Sequence, residues 1–368
     1  MTKRVLYVDA ESPPGHIPFN KGYIARLSET PGVRLSLIVR EGYLSAADVS
    51  PAAIVKEIPR RLYLSRGRGK LVNRIFMLLR YLYLRRTARW GAYDRVIFAA
   101  YDEFALLLSG IRRPLLLVNH DNVRGLDSAL KRFFLKKISK RHAHIVFEEY
   151  MANRMRSCGI GSVFVVRHGL QAPFAPAPPG APEAIHERVA GAADKKIILC
   201  LSLSSADMQL MHRLVRDASF IRLLLRHNML LVVREHGCSL AVDSPSVLRL
   251  NTFLSTAQYR NLFLRSFAVL LPYPQTFRYR VSNVLHECIS NNKLCFAADI
   301  PALRAFAPYM RYPYFFSGVE ELTACVADAV EKNVGDAPDK YANTEDLRTD
   351  FSEILNTNPH PNKVLKPC

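Results

Sequence analysis

AVLLPYPQTFRYRVSNVLHECISNNKLCFAAD, residues 268–299, is the stretch on which the reading of the fold turns. AVLLPY is apolar up to Pro272, which suits a buried strand, and PQTFRYR is a loop. VSNVLHECISN then places Val281, Val284, Leu285, Cys288 and Ile289 at i, i+3, i+4, i+7 and i+8, one buried stripe of a helix. KLCFAAD returns as the next strand. Asn283 and Glu287, four apart on the other face, stack over one another. The open amides and the helix dipole gather positive potential at the start of such a helix. Arg278 and Arg280 add charge there, so the turn suits a diphosphate, and a carboxylate one turn further in can accept two hydroxyl hydrogen bonds from a ribose.

The same strand and helix alternation runs along the chain. VLYVD (5–9), RLSLIV (34–39), RVIFAA (95–100), PLLLVNH (114–120), HIVFEE (144–149) and SVFVVRHG (162–169) are followed by QAPFAPAPPGAPEAIHERVAGAAD (171–194), whose prolines forbid regular structure in its first half. The pattern restarts with KKIILCLSL (195–203), MLLVVREHG (229–237), VLRLNT (247–252) and the two strands above. Near-continuous apolar runs separated by helical spans predict parallel sheets covered on both faces. The expected organisation is an N-terminal Rossmann-like domain over 1–172, a linker over 173–194, a C-terminal Rossmann-like domain over 195–345 and a tail over 346–368 that packs back. Two such domains would face each other across a cleft, where open α/β folds bind ligands.

The 368 residues carry a net charge of +19. Residues 1–172 hold 30 Lys+Arg against 13 Asp+Glu and residues 173–368 hold 21 against 19, so the first half carries nearly all of it. IPRRLYLSRGRGKLVNRIFMLLRYLYLRRTARWGAY (58–93) has ten basic residues and no acidic one, interleaved with leucines and tyrosines. A basic amphipathic helix of this kind lies on an anionic membrane surface or packs on its own sheet with solvated arginines. Nucleic-acid binding ranks behind both, because no zinc finger, RNP-type aromatic motif or KH-like GXXG loop accompanies the charge. No apolar run reaches the ~18–20 residues that cross a bilayer. The start of the chain shows no signal-peptide pattern, and the seven cysteines are scattered without metal-ligand spacing. A cytoplasmic protein with reduced thiols, peripheral at the inner face of the membrane if the basic helix binds it, is expected.

Several enzyme classes drop out. The turn after VLYVD, AESPPGHIPFN, lacks the glycines of a dinucleotide fingerprint, the phosphate loop with its lysine is absent, and no Asp-x-Asp pair follows a strand. Neither a cofactor nor a metal is called for.

LHECISNNKLCFAADIP resembles the LEAMACGKPVIASD phrase of GT-B glycosyltransferases, particularly family four and the related capsule and exopolysaccharide enzymes. The resemblance makes Glu287 the ribose ligand, and Tyr279 stands where the family keeps a first glutamate near the donor sugar. LLLVNHD (115–121) resembles VVTVHD, which puts His120 and Asp121 forward at the reacting centre. IVFEEYMANRM (145–155) resembles IVAVSE, and VVRHG (165–169) resembles VIPNG with His168 in place of asparagine. Spanning about residues 3–330, the resemblance implies a metal-independent glycosyltransferase of the hexosyltransferase type. It would move a sugar from a UDP- or GDP-sugar to a glycan or lipid-linked acceptor in cell-surface polysaccharide synthesis.

Donor contacts are expected from Arg234, His236, Arg278, Tyr279, Arg280, Ser282, Asn283 and Glu287. In the loop after the first strand, Glu11 and His16 either touch the acceptor or make local hydrogen bonds. His120 is a general base if the enzyme inverts and a group that orients the sugar if it retains. A GT-B sugar-nucleotide epimerase and a basic membrane- or nucleic-acid-binding module without catalysis are the alternatives.

Overall fold

The computed structural model describes residues 2–12, 16–63, 69–170, 172–175, 187–192, 194–201, 208–235, 240, 242, 244–252, 254–334, 347 and 349–357. The chain forms two compact units, Met1–Gly169 with Leu347–Cys368, and Leu170–Asp346.

The first unit is a seven-stranded parallel sheet in the order β3-β2-β1-β4-β5-β6-β7. Its strands are β1 (Lys3–Asp9), β2 (Val33–Arg40), β3 (Ala53–Ile58), β4 (Arg95–Ala100), β5 (Leu116–Val118), β6 (Ala143–Val146) and β7 (Val163–Val165). Its helices are α1 (Ile17–Glu29), α2 (Ala46–Val49), α3 (Lys70–Thr87), α4 (Glu103–Ser109), α5 (Ala129–Ile138) and α6 (Glu149–Ser157). The apolar runs are central because both sheet faces are covered: Val5, Leu6, Tyr7 and Val8 of β1 are fully buried. β3 escapes the run pattern because it is an edge strand, AIVKEI, in which exposed positions alternate with partly covered ones and only Ile58 is buried.

β1 to β2 to β3 steps one way across the sheet, whereas β3 to β4 and onward to β7 steps the other way. Right-handed crossovers therefore put α1 and α2 on one face and α3, α4, α5 and α6 on the opposite face. The direction changes between β1 and β4. The end of the chain also belongs to this unit. Lys3 Nζ donates to Leu355 O at 2.7 Å, Arg95 Nη2 to Thr357 O at 2.8 Å, and Phe351 meets Tyr23 edge-on with centroids 4.7 Å apart.

The second unit repeats the plan with six parallel strands in the order β10-β9-β8-β11-β12-β13. They are β8 (Lys196–Cys200), β9 (Met229–Arg234), β10 (Val247–Leu250), β11 (Ala268–Leu271), β12 (Leu294–Ala298) and β13 (Tyr314–Phe316). The helices of this unit are α7 (Glu187–Ala190), α8 (Met208–Arg216), α9 (Ala218–Arg226), α10 (Thr256–Arg265), α11 (Asn283–Ser290), α12 (Pro301–Arg304) and α13 (Val319–Glu331), and α14 (Ser352–Asn356) lies in the terminal segment of the first. Here the strand order reverses between β8 and β11.

The stretch read as a linker, 173–194, falls within the second unit. Phe174 N donates to Asn291 Oδ1 at 2.7 Å, and its ring packs edge-on against Phe263 at 5.2 Å. The expected α11 stripe is buried at Leu285, Cys288 and Ile289 but not at its start. Leu285, His286, Cys288 and Ile289 are buried, while Val281 and Val284 stay partly exposed because they border the loop at the helix start. Cys158, Cys200, Cys288 and Cys295 are buried.

Candidate functional site

Open α/β sheets bind ligands beyond the carboxyl ends of their strands, where the strand order reverses. In the first unit that place is flanked by the loops after β1 and β4. The β1 end is held by Asp9, whose buried carboxylate accepts from Ser12 N at 2.7 Å, Glu11 N at 3.1 Å and Asn20 Nδ2 at 2.6 Å. Tyr7 OH donates to Asn20 Oδ1 at 2.7 Å and fixes that amide in turn. The next carbonyl, Ala10 O, accepts from Tyr63 OH at 3.0 Å and from Arg80 Nη1 at 2.9 Å, and the Arg80 guanidinium lies 4.5 Å over the Tyr63 ring. Arg80, counted in the sequence only as one charge of a basic helix, is thus a buried clamp on the loop that presents Glu11.

Glu11 keeps a buried Oε1 with no hydrogen-bond partner. Burial, followed by repulsion from Asp102, pushes its carboxyl up to about 8 against the pull of Arg80. Asp102 and Glu103 follow β4, the strand beside β1 at the reversal, so three carboxylates converge from two adjacent loops. Asp102 caps α4 by accepting from Ala105 N at 2.8 Å, and Glu103 accepts from Asn122 Nδ2 at 3.2 Å with Lys131 Nζ at 3.4 Å. These commitments leave Glu11 as the carboxylate available for a ligand.

His16 and His120 come together, with ring centroids 4.5 Å apart. Phe19 meets His120 edge-on at 4.6 Å and stacks on His168 at 5.1 Å, while Phe147 packs against both histidines. His120 Nε2 lies 2.8 Å from Ala99 O. A carbonyl only accepts, so Nε2 carries the proton and Nδ1 is left as an acceptor. Desolvation, then the neighbouring His16, lowers the His120 ring to about 3, and desolvation lowers His168 to about 4. His16 is lowered for the same reason, with Asp9 opposing. Asp121, next in sequence to His120, is exposed.

In the second unit the β8 and β11 loops flank the reversal, and the loop after β11 is the stretch Pro272–Ser282. Tyr273 stacks on Phe277 at 4.2 Å, Arg278 lies 5.2 Å over Tyr279, and Arg280 lies 5.8 Å over Phe277. Aromatic rings thus support the two guanidiniums while leaving them half-exposed. Ser282 caps α11, its Oγ accepting from Leu285 N at 3.1 Å, with Tyr273 OH 3.2 Å away. The hydroxyl is therefore committed to the helix. Asn283 and Val284 begin the helix, and their amides have no partner one turn earlier within it.

Glu287 sits one turn in, and the Tyr259 hydroxyl of α10 donates to its Oε2. Burial raises its carboxyl, with Tyr259 and Arg260 opposing. The sequence could not show that partner, because it arrives from the preceding helix. Arg234 ends β9 and is half-exposed, and His236 lies outside the described residues. Among the described residues no group of three His, Cys, Asp or Glu is placed to hold a metal ion.

No protein-family model matches the sequence, and comparison with curated proteins gives no match. Solved structures do match. HepE from Anabaena, solved with UDP and glucose, is 14% identical over 90% of this chain and 91% of its own, with a TM-score of 0.60. A UDP-N-acetylglucosamine 2-epimerase from Listeria monocytogenes, described there as putative, is 11% identical over 93% and 92%, with a TM-score of 0.58. A UDP-forming trehalose-phosphate synthase from Burkholderia xenovorans is 12% identical over 90% and 91%, with a TM-score of 0.55. The chain has the fold these proteins share, two Rossmann-like α/β domains of the GT-B kind.

Proposed function

We propose that the protein is a GT-B glycosyltransferase whose second unit binds a nucleoside-diphosphate sugar and whose first unit receives a glycan or lipid-linked acceptor. The observation that carries this reading is the β11–α11 turn. It lies at the strand-order reversal, opens a helix whose first amides have no helical partner, and holds Arg278 and Arg280 on aromatic supports. Diphosphate charge is met there by backbone amides and guanidiniums, which also stabilise the leaving group as the glycosidic bond to it breaks. Glu287 accepts the ribose hydroxyls with Tyr259 fixing one of its oxygens. Arg234 and Tyr279 complete the donor contacts.

In the first unit the roles follow from charge state. His120 is neutral at ordinary pH and its free nitrogen accepts, so it orients a sugar hydroxyl. Glu11, with an unsatisfied oxygen and its carboxyl raised to about 8, takes the acceptor proton in its ionised form, which prevails above that pH, as the acceptor oxygen bonds to the sugar carbon and the diphosphate departs. The resemblance to polysaccharide enzymes makes a cytoplasmic role in cell-surface glycan assembly the natural setting.

Calorimetric titration of UDP and GDP into wild type and the double variant Arg278→Ala/Arg280→Ala tests the donor site. Loss of two charge-assisted contacts should weaken binding by about tenfold or more. Equal affinities in the two proteins would refute it. The fold shared with the Listeria protein keeps epimerisation as the second reading. Incubating UDP-sugars with no acceptor separates the two, because only an epimerase then converts one donor into another.

A further inference from the structure

We propose that the surface formed by α3, α4 and α5 of the first unit is a docking face for a bilayer of anionic lipid. α3 buries one side against its own unit and carries further large apolar residues on its outer side. Arg80, Tyr81 and Leu84 are buried, whereas Leu71 is 73% exposed, Ile75 50% and Leu79 42%. Positions 71, 75 and 79 are four apart and share one stripe, so the exposed apolar residues form a ridge.

The ridge continues onto the neighbouring helices. Arg85 Nη1 of α3 donates to Ser109 O of α4 at 3.1 Å, and Tyr81 OH accepts from Asp102 N at 3.0 Å. Phe104 of α4 meets Phe134 of α5 edge-on at 5.3 Å. Leu108 of α4 is 51% exposed, Leu130 of α5 62% and Phe133 52%. Three adjacent helices on one side of the sheet thus present six large apolar side chains to solvent, far more than scattered surface leucines need explaining.

Charge identifies the occupant. There is no acidic residue from 58 to 93 or from 129 to 147. Arg74, Arg85 and Arg86 of α3 and Lys136 and Lys137 of α5 are exposed among the apolar groups, with Lys137 5.3 Å over the Phe133 ring. A nucleic acid would neutralise the charge and leave the leucines and Phe133 in water. A second copy would bury the leucines and bring two strongly basic faces together. A bilayer of anionic lipid satisfies both, with cations at the headgroups and the apolar ridge below them. No helix among the described residues is long and apolar enough to cross a membrane, so the contact is lateral.

Cosedimentation of the full chain with vesicles of phosphatidylcholine, with and without phosphatidylglycerol, is the test. Wild type should pellet with the anionic vesicles and not with the neutral ones. Ile75→Glu/Phe133→Glu should reduce the bound fraction at least tenfold. Arg74→Glu/Arg86→Glu should do the same at low salt. All four positions are exposed, so circular dichroism should be unchanged in both variants. Wild type remaining in the supernatant with anionic vesicles would overturn the proposal. So would variants that pellet like wild type, or a concentration-dependent dimer that the apolar substitutions abolish while vesicle binding persists. Vesicle binding requires neither donor nor acceptor, so its outcome is independent of the glycosyltransferase reading.

Discussion

Glu11→Gln should leave the protein nearly unchanged in stability in mild acid and make it more stable than wild type in mild base. The wild-type carboxyl titrates at about 8 in the fold, against an ordinary value of 4.5. Between those values the native chain holds a proton that the unfolded chain has released, so wild-type stability falls as pH rises through this window and levels off above it. Each pH unit is worth about 1.4 kcal/mol, which sets an upper bound of about 5 kcal/mol across the window. Glu11 is partly exposed, and solvent screening of a side chain in that position reduces the expected figure to about 2 kcal/mol. Glutamine has the same shape and no proton to lose, so its variant escapes the penalty. Urea denaturation of both proteins at about pH 5 and about pH 9, followed by circular dichroism, gives the difference directly, and every other titrating group cancels in it. A gap between the two proteins that stays constant from acid to base would show that Glu11 ionises like a surface carboxylate, and the proton-accepting role assigned to it would fall.

Tyr259→Phe removes the hydroxyl that donates to Glu287 and should cost about 1–3 kcal/mol in thermal stability while raising the Glu287 carboxyl further, which an NMR titration of that side chain reads. His144, with its ring lowered to about 3 by burial, stays neutral in the fold while the unfolded chain takes up a proton below about 6.5, so stability falls with acidification. His144→Asn should remove about 1.4 kcal/mol per pH unit of that slope, whatever the constant cost of losing its contacts to Tyr101 and Ser139. Phe351→Ala should destabilise by about 3–5 kcal/mol in a melting experiment, because the ring is 1% exposed against Tyr23 and ties the end of the chain to the first unit.

Much of the architecture was legible because buried parallel strands are apolar on both faces. LLLV and AVLL can hardly be anything else, and the helices between them follow from period and length. What the pattern could not supply is what edges and partners decide. β3 alternates because only one of its faces is covered, and Tyr314–Phe316 is three residues long at the far edge of the second sheet. The Tyr259 contact to Glu287 joins residues on different helices, and the clamp of Arg80 on Ala10 joins residues 70 positions apart. Neither leaves a local trace.

The same limit bears on the roles proposed in the first unit, which rest on packing that residue type does not show. His120 was put forward because LLLVNHD resembles VVTVHD, as a base if the enzyme inverts or as a group that orients the sugar if it retains. Placed among Phe19, Phe147 and two other histidines, with Nε2 given to Ala99 O, it is driven far below its ordinary pKa and becomes a fixed hydrogen-bond acceptor. Glu11, ordinarily too acidic to hold a proton at neutral pH, is carried the other way by the same burial and by Asp102. One low-dielectric pocket lowers bases and raises acids together. The proposed choice of Glu11 over His120 as proton acceptor thus rests on packing rather than on the letters of the chain.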